Sequence, residues 1–280
     1  MTAQSTHILP TRRNEDWRYS DLDALREVWP QDIQTTRTLN VAAGETARLD
    51  DHLTGNGWRN EIVKITVATG ATLNGTIIQS RDADAVTTQH YAITLVAGAR
   101  CELHILQTGS RYGRISFAVE MGEASHFALG GVIIAATSQN QEIVTHVNHA
   151  HPRATSQQII RAVADDQSVT SYLGKVAVAR GAQKTDSAQS AKALVLTRTA
   201  TANLKPELEI FADDVKCAHG ASVGALDANA LFYLQTRGIT PVEAQALLTR
   251  SFLAAAFANL DDDAAMQLTD RALAAMEKSA

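Results

Sequence analysis

Cys217 and His219 stand two residues apart in the densest polar constellation of the chain, Asp213-Asp214-Val215-Lys216-Cys217-Ala218-His219-Gly220-Ala221. In an extended segment alternate residues share a face, so thiol and imidazole would project together with Val215 beside them. A soft thiolate with an imidazole suits zinc, copper or an iron–sulfur cluster. Two ligands make half a site, however, and the rest must come from elsewhere. The bland reading is a buried cysteine beside a hydrogen-bonded histidine. Three more histidines, His146, His149 and His151, form an H-x-x-H-x-H run in which Pro152 favours local extension, putting His149 and His151 on one face as conceivable metal ligands. No glutamate stands at the spacing of a zinc hydrolase base. Glu142, Glu207 and Glu209 are isolated acids on strand-like segments, with no visible pairing as acid and base. The chain contains no G-x-G-x-x-G opening a helix, no G-x-x-x-x-G-K-[ST], no G-x-S-x-G and no H-E-x-x-H. If its work consumes ATP, another protein supplies the ATPase.

Positioning these groups takes a substantial scaffold, and 280 residues with 45% hydrophobic and 20% charged content provide one. Aromatics are only 5%, which offers little stacking surface for sugars. A net charge of −5 argues against nucleic acid or an anionic membrane as partner. No run nears the ~18 apolar residues of a spanning helix. The start, MTAQSTHILPTRRNEDW, has its charges in the wrong order for a secretory leader, so a cytoplasmic protein is expected. In such a compartment Cys101 and Cys217 are core residues or ligands rather than a disulfide.

From about Gln34 to Val215 the chain is written in short β-type runs such as EIVKITV, AITLV, ISFAVEM and EIVTHV. A phrase recurs as VAAGETARL, VATGATLNG, LVAGARCEL and VEMGEASHF, and more weakly as VARGAQKTD. The first four place glycines at 44, 70, 98 and 122. Such near-constant spacing predicts a β-solenoid whose coils turn at glycines able to adopt positive φ. A β-sandwich reusing Gly-Ala turns is the alternative.

Helices are expected at both ends. Ser20 reads as the cap of a short helix with Leu22, Leu25 and Trp29 in phase, stopped by Pro30. After Gly224, LDANALFYLQTRG places Leu226, Ala230, Tyr233 and Leu234 on one face and ends at Gly238. Thr240-Pro241-Val242-Glu243 is a capping box opening a helix to about Ala258, and a further helix begins near Asp261-Asp262-Asp263. Twelve alanines between 241 and 280 give these helices too little side-chain mass for a core of their own, so they need another surface to pack on.

Two stretches carry a more specific signal. They are Arg13-Asn14-Glu15-Asp16-Trp17-Arg18-Tyr19-Ser20 near the start and the block from Lys205 through Lys216-Cys217-Ala218-His219-Gly220-Ala221-Ser222-Val223-Gly224 to Arg237-Gly238-Ile239. Lys184-Thr185-Asp186 with Gln189, and Leu194-Val195-Leu196, add to them. Over about residues 10 to 258 the chain resembles the SufB/SufD family of iron–sulfur cluster assembly proteins, the K-C-x-H-G-A-x-V-G phrase being the SufD version. The resemblance implies a mainly β protein: a short N-terminal arm and helix (1–33), a right-handed parallel β-helix (34–224) and a C-terminal helical domain (225–280).

By the same resemblance the chain is a non-catalytic scaffold that pairs with SufB through the β-helices and docks the ATPase SufC through the terminal helices. Homodimer formation stays open beside that pairing. His219 matches the histidine of the nascent-cluster site, where a cysteine of SufB completes the ligand set. Cys217 matches the family cysteine, with no role assigned. The cluster is transient in the complex, and no cofactor is expected to stay on the isolated chain. Phe232, Tyr233, Arg237, Phe252 and Phe257 are candidates for the ATPase surface. The NEDWRY phrase stands almost at the beginning and the β segment is short, so functions of the helical N-terminal region of longer members are not expected here. Two alternatives are a SufB-like primary scaffold, disfavoured because a self-contained cluster takes four thiolates, and a metal-dependent β-helix hydrolase using the central histidines.

Overall fold

The computed structural model describes residues 9–29 and 34–277. Fourteen strands alternate between two seven-stranded parallel sheets, so each pair of consecutive strands is one coil of a β-solenoid. One sheet holds β1 Gln34–Val41, β3 Trp58–Val67, β5 Val86–Leu95, β7 Tyr112–Met121, β9 Asn140–His149, β11 Val169–Val178 and β13 Thr201–Ile210. The other holds β2 Thr46–Leu53, β4 Thr72–Arg81, β6 Arg100–Gly109, β8 His126–Ala135, β10 Thr155–Ala164, β12 Asp186–Val195 and β14 Lys216–Gly224. Between the sheets one apolar core runs the length of the stack, from Val41, Val63 and Leu73 through Phe117 and Phe127 to Val176 and Ala191. The period-2 alternation of the strands supplies it, with every second side chain turned inward.

In-register stacking makes the solenoid a set of columns. Arg37, Val63, Tyr91, Phe117, Thr145, Gly174 and Pro206 occupy successive rungs of one column. Tyr91 and Phe117 stack with ring centroids 5.0 Å apart. At one corner the chain turns through a left-handed residue in each of the first six coils: Gly44, Gly70, Gly98, Ala124, Arg153 and Lys184, with φ of 72°, 64°, 68°, 50°, 61° and 63°. Each of these residues donates its backbone N–H to a carbonyl of the next coil. The repeat read from the sequence is therefore right for its first three glycines and out of phase at the fourth. Ala124 takes the left-handed position, while Gly122 lies where a Cβ would meet the Leu95 carbonyl at 2.5 Å. In the fifth phrase Lys184 turns, not Gly181. A non-glycine residue here costs about 1 kcal/mol, which the inter-coil bond offsets.

The N-terminal arm is pinned to the solenoid by the NEDWRYS phrase. Ser20 does not cap α1 (Leu22–Val28); Asp21 does, accepting the Ala24 N–H at 2.9 Å. Ser20 instead donates its hydroxyl to the buried Glu142 at 2.6 Å, a carboxylate that also accepts from the Tyr112 hydroxyl and pairs with Arg114 at 3.0 Å. The same guanidinium donates to the Asp16 carbonyl at 2.8 Å and lies 3.9 Å over the Trp17 ring. Asp16 bonds His146 at 2.9 Å, which holds its carboxyl below the usual range, and Glu15 pairs with Lys205 on β13. Leu22, Ala24 and Leu25 pack on Val86 and Tyr112. Pro30, the expected helix stop, lies outside the described residues.

The terminal helices are α2 Ala228–Thr236, α3 Pro241–Ala254 and α4 Asp262–Glu277, with a short 3-10 turn at Ala255–Phe257. Thr240 and Glu243 form the expected capping box. The surface these alanine-rich helices need is the outer face of the second sheet, where Leu106, Val132, Ile134, Val163 and Leu194 meet Leu253, Ala256, Phe257, Leu268 and Ala272. Gly130 permits the approach, since a Cβ there would lie 2.0 Å from the Ala256 carbonyl.

Replacing Arg114 by Leu is expected to strand Glu142 as an unpaired buried carboxylate and to lower stability by about 3–5 kcal/mol in urea unfolding. Adding Glu142→Leu should restore most of that loss. Equal stabilities for the single and double variants would show that the pair does not hold the arm.

Candidate functional site

Cys217 and His219 lie on β14, the last strand of its sheet, hydrogen-bonded on one side only. Register places Cys217 beside Ser187 and His219 beside Gln189 of β12. Both belong to inward-facing columns. Ala47, Leu73, Cys101, Phe127, Ser156, Ser187 and Cys217 form one, and Leu49, Gly75, Leu103, Leu129, Gln158, Gln189 and His219 the other. At this end no further coil covers them. Cys217 is half-buried and packs against the edge of the core, while His219 is exposed, and every residue of β14 from His219 to Gly224 is exposed as well. The spacing thus does what alternation predicts and puts thiol and imidazole on one face. Burial, followed by the nearby Asp186 carboxylate, pushes the Cys217 thiol up, and a backbone hydrogen bond from Ser187 partly opposes that. Cys101, four rungs away, is fully buried and its thiol is raised strongly by desolvation. It is a core residue.

Both columns change character at the fifth coil. Ser156 and Ser187 hydroxyls lie 2.9 Å apart, and His149 Nε2 is 2.9 Å from Ser156 Oγ. Gln158 Oε1 accepts from Thr145 at 2.6 Å and from the Tyr172 hydroxyl at 3.0 Å. Gln158 Nε2 and both amide atoms of Gln189 are buried without a partner. In the sequence Gln189 is legible only as part of the family resemblance, because a lone glutamine on a strand carries no motif of its own. The signal that finds it is its position one rung from His219.

The three central histidines are not brought together. His146 faces outward and bonds Asp16; His149 closes β9 inside the core; His151 is exposed in a turn where Pro152 leads and Arg153 takes positive φ, so the expected extension past His149 does not occur. Among the described residues no three His, Cys, Asp or Glu side chains converge as a metal site. Glu207 pairs with Lys205 at 2.9 Å and Glu209 with Lys175 at 2.7 Å, both as surface ion pairs.

The five helical candidates divide. Phe232 and Tyr233 on α2 are 67% and 58% exposed, and Arg237 lies over the Tyr233 ring at 5.2 Å. Val242 and Leu247 of α3 and Met266 of α4 add further exposed apolar surface. A groove of about 430 Å³ lined by Ile239, Ala246, Leu247, Arg250 and Leu273 opens between the helices. Phe257, by contrast, is fully buried against the solenoid, with His104 at 6.3 Å between ring centroids. Phe252 is half-buried in the same cluster, 5.7 Å from the Arg161 guanidinium. The 3-10 turn carries Phe257 inward, while Phe252 on α3 keeps part of its surface exposed. Among the described residues no helix is long and apolar enough to cross a membrane.

The fold defines the class: a parallel β-solenoid with an open terminal strand and helices packed on one sheet. Residues 31–252 match the SufBD core domain of the SUF system for iron–sulfur cluster assembly, and the chain belongs to that family. It is 32% identical over 200 residues to the chloroplastic protein ABCI7 of Arabidopsis thaliana, covering 70% of this chain and 42% of that one. To the iron–sulfur cluster assembly protein SufD of Escherichia coli it is 30% identical over 179 residues, 64% of this chain and 42% of the relative. An iron–sulfur cluster assembly SufBD family protein of Synechocystis is 32% identical over 167 residues, 58% and 37%. The chain thus spans less than half the length of these relatives.

Burial pushes the His149 imidazole down to about 4, so it is neutral when folded and charges on unfolding below about pH 6.5. Stability from this group is complete above that pH and is lost as pH falls from 6.5 toward 4, because the unfolded chain binds the extra proton. Between pH 7 and 5 the loss is expected to be about 2 kcal/mol. Urea midpoints of the wild type and His149→Gln test this, and an undiminished pH dependence in the variant would refute it.

Proposed function

We propose that this chain is a SufD-type scaffold subunit of the iron–sulfur cluster assembly machinery. It would pair with a SufB-type subunit across the β13–β14 end and dock the SufC-type ATPase on its terminal helices, doing no chemistry by itself. The observation that carries this reading is the exposed β14 edge, where His219 and Cys217 share one face beside backbone groups with no neighbouring strand. An open strand edge is a template for pairing with another chain. A histidine and a cysteine placed there supply half of a ligand set, and a partner cysteine would complete it around the nascent cluster, which is cargo rather than a resident cofactor. The absence of nucleotide motifs leaves ATP hydrolysis to a separate subunit. Phe232, Tyr233 and the groove beside Leu247 have the aromatic and apolar character that anchors such an interface.

Co-expression with SufB-type and SufC-type partners should yield a stoichiometric complex, and a chain that elutes alone would overturn the reading. His219→Ala is expected to leave that complex intact while lowering the cluster assembled on it at least tenfold; normal assembly would make the residue structural. Phe232→Asp should weaken ATPase binding by about tenfold or more, on the order of 1.4 kcal/mol, without unfolding the chain, since the side chain is exposed. An unchanged binding isotherm would remove α2 from that surface.

A further inference from the structure

Gln189 is the residue with no explanation in packing. It is 3% exposed, yet neither its amide oxygen nor its amide nitrogen has a hydrogen-bond partner. Leaving such a group unsatisfied costs about 1–3 kcal/mol, and the same column is filled by Leu129 and Leu103 two and three rungs earlier, so leucine fits the position. The amide below it is held at its oxygen only: Gln158 Oε1 accepts from Thr145 and Tyr172, while its Nε2 is also unpartnered and does not reach Gln189. The residue above it in register is His219. Neighbouring rungs of a sheet lie about 4.8 Å apart, within reach of a ring and an amide that turn toward each other. His219 is exposed and makes no side-chain hydrogen bond among the described residues, so its ring is free to turn.

We infer that Gln189 is the positioning residue for His219: its Oε1 accepts one ring N–H of the imidazole and leaves the lone pair of the other nitrogen facing outward for iron. A ligating histidine needs such an acceptor, because a neutral imidazole can offer a lone pair at one nitrogen only when the other carries the proton, and the partner of that proton fixes tautomer and orientation. A backbone carbonyl often serves. On an edge strand with solvent on one side, a buried amide is the acceptor that water cannot displace. The inference rests on the scaffold reading for its purpose, but the contact belongs to this chain alone.

The test uses the full chain with ring-15N-labelled histidine, the His219 signals being assigned with His219→Ala. In the wild type one tautomer of His219 is expected to dominate at pH 8. In Gln189→Leu the two forms should relax toward the distribution of a free imidazole, and in Gln189→Glu, which keeps an acceptor, the bias should persist. Gln189→Met serves as the apolar variant should the leucine form not fold. An identical tautomer distribution in the wild type and a folded apolar variant overturns the proposal. In the reconstituted complex Gln189→Leu should lower cluster assembly about tenfold, with Gln189→Glu restoring it and complex formation unaffected. A chain that binds neither partner refutes the scaffold reading, while the tautomer comparison on the chain alone still decides the role of Gln189.

Discussion

A parallel ladder must end somewhere, and its terminal strands carry backbone groups that the stack cannot satisfy. This solenoid ends its two extremities differently. In the first coil Arg37 and Asp51 point into the interior and pair at 2.6 Å, and the Tyr91 hydroxyl donates to the same carboxylate at 2.9 Å. An inward-pointing ion pair on an edge coil, Asp51 nearly buried and Arg37 still partly exposed, discourages another strand from adding to it, since pairing there would bury the ions. In the last coil the corresponding interior holds Leu204, Pro206, Cys217 and His219, with no ion pair spanning β13 and β14 through it. One edge has a charged pair on its interior columns, and the other has Cys217 and His219 there.

That asymmetry extends inward. Through four coils the two columns behind Cys217 and His219 are almost wholly apolar, as a core should be, and then they become Ser156, Ser187, Gln158 and Gln189. Hydrophobic columns would be more stable, because each unpartnered buried amide atom forgoes hydrogen bonds to water without replacement. Within these two columns the polar stretch falls on the rungs nearest β14; elsewhere in the solenoid Gln79, Gln107 and Gln141 are buried as well, held by Ser110, Gly113 and the Gly109 carbonyl. What separates Gln189 from them is that neither of its amide atoms has a partner.

The coiled architecture was legible because the first three turns are built from glycine, the residue that takes positive φ most cheaply. It became illegible where Ala124, Arg153 and Lys184 perform the same turn, since their strain is offset by inter-coil bonds that exist only in the assembled stack. Cys217 and His219 could be placed on one face by strand alternation alone. The duties of Ser20, Asp16 and Glu15 could not, because their partners Glu142, His146 and Lys205 are more than a hundred residues away. For the helices, local signals such as the Thr240–Glu243 box sufficed to place their starts. They could not tell Phe257, which rolls under the bundle, from Phe232, which does not, as both sit in equally apolar stretches and only the docking angle separates them.

The two surfaces at issue are also joined covalently. Residues 225–227 alone separate the end of β14 from the start of α2, and Asp227 caps that helix through the Asn229 N–H at 2.8 Å. A link this short has little slack. α2 has no buried residue, and β14, like β2 at the far end of its sheet, is hydrogen-bonded on one side only. The doubly paired coils supply a frame, and this short connection ties the helical flank to the strand that carries Cys217 and His219.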